Sequence, residues 1–152
     1  MVPDLYPAVA RLSVAIVRAV LGHQDPRTFS MWASAAGASR STLRAWCRAA
    51  GVEGRRALWF TRALRAVLAA EDEMARSSEL PPPALFLDVV RVSGSAFIGQ
   101  LGIDLTNPLT ADEFFDRQCA ITNVRLVLSV KTRLHESSLV THLRTHQLTQ
   151  LD

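Results

Sequence analysis

The stretch "TFSMWASAAGASRSTLRAWCRAAG", Thr28 to Gly51, constrains this chain more than any other part of it. Gly37 separates two short segments of helical periodicity and supplies the positive φ that a tight turn between helices needs. Ala33 lies four residues earlier. Two helices crossing steeply over such a turn touch at that point, so only a small side chain fits. Apolar residues must flank both positions to tie the pair to a core, and Trp32, Ala36, Ala38, Leu43 and Trp46 fall at the required offsets. Thr28 and Ser39 each precede a helical segment and carry N-cap side chains. The pattern predicts a helix-turn-helix over residues 28–51, with Trp32, Ala33, Gly37, Leu43 and Trp46 as its inner framework.

On a wheel of 3.6 residues per turn, Leu43, Trp46, Cys47 and Ala50 cluster on one side of the second helix, the expected core side. Ser41, Arg44, Ala45 and Arg48 lie opposite, flanked by Arg40 and Thr42. A small residue such as Ala45 in the middle of an outward face lets a helix sit deep in the major groove of DNA. Arg44 and Arg48, one turn apart, have the reach to contact guanine edges bidentately or neighbouring phosphates. Ser39, Arg40 and Ser41 stand at the helix N-terminus, where free backbone N–H groups favour a phosphate. An outer face of arginines is also what an ordinary solvated amphipathic helix presents, so the charge distribution matters.

Of the 152 residues, 49% are apolar, enough to bury a core without staples. The net charge is only +3, but it is unevenly placed. Residues 1–76 hold eleven arginines against six acids, whereas residues 77–152 hold six basic residues against eight acids. The window from Arg40 to Arg65 contains seven arginines and one acid, Glu53. A basic first half around a helix-turn-helix points to a polyanion partner. Arg55 and Arg56, at the start of the next predicted helix, are candidate contacts to the DNA backbone.

The two quoted helices, with the following "GVEGRRALWFTRALRAVLAA", resemble the first helix-turn-helix of AraC-type transcriptional regulators. Gly51, Arg62 and Ala66 match that family's pattern after the second helix. Gly54 stands where the family usually has proline, and Ala57 where it usually has an aromatic residue. The resemblance covers about 42 residues, under a third of the chain. It implies a DNA-binding unit whose second helix, residues 39–50, enters the major groove. The family's second helix-turn-helix is not found in residues 84–152. A turn at Gly94 would put Gln100 in the core, and a turn at Gly102 would put Pro108 inside a helix.

Elsewhere the reading is coarser. Val9, Leu12, Ile16, Val17 and Val20 mark a first helix over Pro7 to Leu21, ended by "GHQDP". A fourth helix is expected from about Gly54 to Met74, with Ala57, Phe60, Leu64, Val67 and Leu68 inward and Arg62 and Arg65 outward. It would close on "AAEDE", whose acids sit unfavourably at a helix C-terminus. Three prolines in "RSSELPPPALF" mark a boundary, since none can lie in a helix interior. In the second half, Thr110 and Glu113 form a capping box for a helix expected to reach His135. The β-branched alternation of residues 120–134 leaves a strand open there. "SSLVTHLRTHQL" reads as a last short helix.

Several classes are excluded. No run of about 18 apolar residues is present to span a membrane, and the N-terminus has neither the basic leader nor the cleavage site of a signal peptide. Two cysteines, Cys47 and Cys119, give no disulfide framework and suit a reducing cytosol as buried thiols. His135, His142 and His146 share a helical face but have no acidic or cysteine partner nearby, so no metal or cofactor is expected. No phosphate-cradling loop or nucleophile motif is present.

The chain is therefore expected to be all-α. A homeodomain-like helix-turn-helix module (1–76) is followed by a Pro-rich linker (77–83). A smaller, mostly helical module (84–152) is expected to serve dimerisation or effector binding. The function expected is that of a cytoplasmic transcriptional regulator, not an enzyme, acting on double-stranded DNA as a homodimer through residues 84–152. Two other classes draw on the same residues: an adaptor whose Arg-rich helix docks an acidic protein, and a DNA-binding accessory subunit of a phage or mobile-element recombination system.

Overall fold

Side chains that must leave water decide how the helices assemble. The structure, a computed structural model, describes residues 7–77, 110–121 and 123–150; side chains at 70, 73–77, 119–121 and 138–150 lie outside that description. The described residues form six helices and no strand: α1 (Pro7–Leu21), α2 (Phe29–Ala35), α3 (Arg40–Ala49), α4 (Gly54–Ser77), α5 (Ala111–Ile121) and α6 (Val124–Gln150). The fold is all-α, as the periodicity predicts. Where the sequence leaves a strand open, over residues 120–134, residues 120–121 and 124–134 are helical. Linker residues 78–83, residues 84–109, Met1–Tyr6 and the side chains of Cys119, His142 and His146 lie outside the described parts.

α1 is the centre of the assembly. It packs against α2, α3, α4 and α6, and it buries Leu12 and Ile16 completely. Trp32 on α2 is fully buried, and its indole Nε1 donates to the Ala15 carbonyl at 3.1 Å, which fixes α2 across α1. Leu43 and Cys47 of α3 and Phe60, Leu64 and Val67 of α4 complete this part of the core.

The described helices of the second half share this core. Phe114 and Phe115 of α5 and Leu126, Val127 and Val130 of α6 belong to the same hydrophobic core. Phe114 stacks on Phe60 of α4 at 5.7 Å between ring centroids. The proline run points to a boundary between two modules, and residues 84–109 lie outside the described parts. The apolar stripes of α5 and α6 need α1 and α4 to be buried at all.

Three boundaries differ from expectation. α4 runs on to Ser77, so its acids do not lie at its end. Glu71 instead accepts from the backbone N–H of Ala111 at 3.2 Å and serves the positive end of α5. Thr110 caps α5 through the N–H of Glu113 at 3.2 Å, as expected. α5 stops at Ile121, however, and Asn123 starts α6 by accepting from the Leu126 N–H at 3.2 Å. The segment expected as a separate last helix is the continuation of α6.

Candidate nucleic-acid interface

The geometry of α2 and α3 follows from two caps and two glycines. Thr28 Oγ1 accepts from the Met31 N–H and Ser39 Oγ from the Thr42 N–H, both at 3.1 Å. Each satisfies an N–H group that the first turn of a helix leaves without a partner. At the other end, Gly37 has φ +70° and Gly51 has φ +73°. In both turns the glycine N–H reaches back three residues and the next N–H reaches back five. Ala38 bonds to the Ala33 carbonyl at 3.0 Å and Val52 to the Cys47 carbonyl at 2.9 Å. These are paired Schellman endings, and they set the angles at which α2 meets α3 and α3 meets α4. Ala33 is buried at the crossing. Four of the five expected framework residues take their expected places. Trp46 is half-buried, packed against the edge of the core.

Every residue expected to face DNA is exposed: Ser39, Arg40, Ser41 and Thr42 at the start of α3, Arg44, Ala45 and Arg48 along it, and Arg55 and Arg56 on α4. Among the described residues, none of these five arginines forms an ion pair. Two are oriented by aromatic rings instead. The Arg44 guanidinium lies 5.6 Å from the Phe29 ring centroid, and that of Arg55 lies 4.8 Å from Trp59. Such stacking steadies the long side chain while leaving its N–H edges free.

A groove of about 440 Å³ lies between α3 and the start of α4. Arg44, Arg48 and Arg55 line it together with one acid, Glu53, and with the apolar Phe29, Val52 and Leu58. Both helices beside it begin against the usual rule. Neither α3 nor α4 has an acid in its first turn, and Arg40, Arg55 and Arg56 occupy those turns. Cations at the positive end of a helix are locally unfavourable. Two such ends beside unpaired arginines concentrate positive potential on one side of the molecule.

Gly54 is closely confined. A Cβ there would lie 3.0 Å from Cε2 of Phe29, the ring beneath Arg44. Cys47 lines the groove too, but burial pushes its thiol up to about 11, against an ordinary 9.0. It is an inert packing group, not a nucleophile.

Arg62 and Arg65 are not where the wheel put them. Arg62 is only 2% exposed; its Nε and Nη2 donate to the Asp25 carboxylate at 3.0 and 2.6 Å. Arg65 donates through Nη1 to the carbonyls of Ala19, Val20 and Gly22, closing the C-terminus of α1. The loop between α1 and α2 covers this side of α4, and both arginines are structural.

Sequence reasoning also missed Asn123. Its Nδ2 donates to the Ala50 carbonyl at 2.8 Å, so the residue that starts α6 also holds the C-terminus of α3. An Asn before a helical run signals an N-cap; nothing in the sequence signals the second bond. No family model, curated protein or solved structure matches this chain.

Proposed function

We propose that this protein is a cytoplasmic DNA-binding transcriptional regulator of the homeodomain-like, AraC-resembling kind, with α3 as the helix that enters the major groove. The observation that carries the reading is the outward face of α3. Arg44 and Arg48 flank the small Ala45, are exposed, and have no acidic partner among the described residues. Arg44 and Arg48 would read base edges, where a good bidentate contact is worth about 1–3 kcal/mol of discrimination. Ser39, Arg40, Ser41 and Thr42 would hold one phosphate strand at the positive end of α3. Arg55 and Arg56 would contact the backbone beyond it. A single unit of this size makes few contacts, so the reading includes a homodimer, built through residues 84–152, that reads two half-sites.

The test is binding to mixed duplex DNA at two salt concentrations, with the wild type beside Arg44→Ala/Arg48→Ala. The expected result is binding that weakens steeply with salt and falls at least about tenfold in the double variant. A folded wild type that does not bind at low salt overturns the reading. Capture of an acidic protein by the same face would then favour the adaptor.

A further inference from the structure

A second cavity, of about 230 Å³, opens on the other side of the molecule between α1, α3 and α6. Trp46 reaches it from α3; two residues after Arg44, it lies about 200° further round the helix and so faces away from the groove described above. Three guanidinium groups line the cavity: Arg11 and Arg18 from α1 and Arg133 from α6. No acid lines it. The other described residues that line it, Ala10, Val14, Ala15, Ala36 and Trp46, are apolar. Arg11 and Arg18 are exposed, but Nε of Arg133 is buried with no hydrogen-bond partner among the described residues. A buried charged donor without an acceptor is costly, so any acceptor that reaches it is held firmly.

We propose that this cavity binds a small organic anion, a carboxylate carried on a single ring or short apolar chain. The carboxylate accepts from Arg133, whose forked N–H groups match two oxygens, and Arg11 and Arg18 screen its charge at the mouth. The apolar body packs against Trp46 and Val14. The volume is below the roughly 300–1,000 Å³ of sites for drug-sized ligands, which limits the body to about one ring. The apolar wall disfavours a bare inorganic ion, which would leave it unfilled. This inference holds whether or not the outward face of α3 binds DNA.

The indole N–H of Trp46 reports directly on the site. Its resonance in a ¹⁵N-labelled sample is identified by its loss in Trp46→Phe and followed during titration with benzoate. Benzamide has the same shape without the charge, and inorganic phosphate the charge without the ring. Benzoate should give a saturable shift of the Trp46 resonance, and the two controls should give none at equal concentration. Arg133→Gln should weaken binding by about tenfold or more, the loss of one charge-assisted hydrogen bond. Arg11→Gln/Arg18→Gln, which alters only exposed side chains, should weaken it as well and guards against a folding defect in the first variant. No saturable Trp46 shift with benzoate, an equal response to benzamide or phosphate, or wild-type affinity in both variants would each overturn the proposal.

Discussion

Two sets of arginines on neighbouring helices have opposite fates. Arg40, Arg44, Arg48, Arg55 and Arg56 are exposed and unpaired by acids among the described residues, steadied where they are held at all by aromatic faces. Arg62 and Arg65, a few residues further along α4, are drawn inward onto a carboxylate and onto the last carbonyls of α1. A helical wheel assigns both sets to an outward face. It gives the angle at which a side chain leaves its helix and says nothing of what covers that angle. For α3 the outward angle meets solvent. For the middle of α4, at Arg62 and Arg65, it meets the end of α1 and the α1–α2 loop.

The contrast can be broken by substitution. Arg62→Ala leaves the Asp25 carboxylate facing the core without its cation. It should destabilise the fold by about 3 kcal/mol, the lower end for removing one partner of a buried pair, because Asp25 stays about a third exposed. Chemical denaturation measures this, and a loss below about 1 kcal/mol would return Arg62 to the exposed set. Gly37→Ala should cost about 1–2 kcal/mol, the strain of a left-handed residue. A Cβ there meets nothing within 4 Å, so the loss is conformational. Gly37→Asn should recover part of it, because Asn tolerates this backbone. A larger loss for Asn than for Ala would show that the turn is crowded. The smallest effect is expected for Arg44→Ala and Arg48→Ala, each within about 0.5 kcal/mol of the wild type in stability. A cooperative loss well beyond that would mean these arginines support the fold.

What the sequence made legible was local. Thr28, Ser39 and Thr110 cap the helices they precede because a cap is made within three residues. Gly37 and Ala33 could be placed because a tight turn dictates its own chemistry. The outward residues of α3 were identified because nothing folds over them among the described parts. What escaped notice spans the chain. Asp25 finds Arg62 across 37 residues, and Asn123 finds Ala50 across 73. The packing of α5 on α4 needed Phe114 to be seen against Phe60. Glu71 looked like an error at a helix end until the neighbouring N-terminus of α5 gave it a purpose.

The shared core also governs how the protein can be divided. A gene fragment cut at the proline run would encode the whole helix-turn-helix, yet it would strip α5 and α6 from the underside of α1 and α4. Phe60 would lose its stacking partner, and α1 would lose the apolar face of α6 that packs against it. Each apolar side chain exposed in this way forfeits about 1.5–3 kcal/mol of burial, and together they form an adhesive apolar surface. Such a fragment should aggregate during expression, whereas the full chain keeps that surface internal. The outward face of α3 is therefore better altered by substitution at positions 40–48 of the intact chain than by grafting the first 77 residues elsewhere.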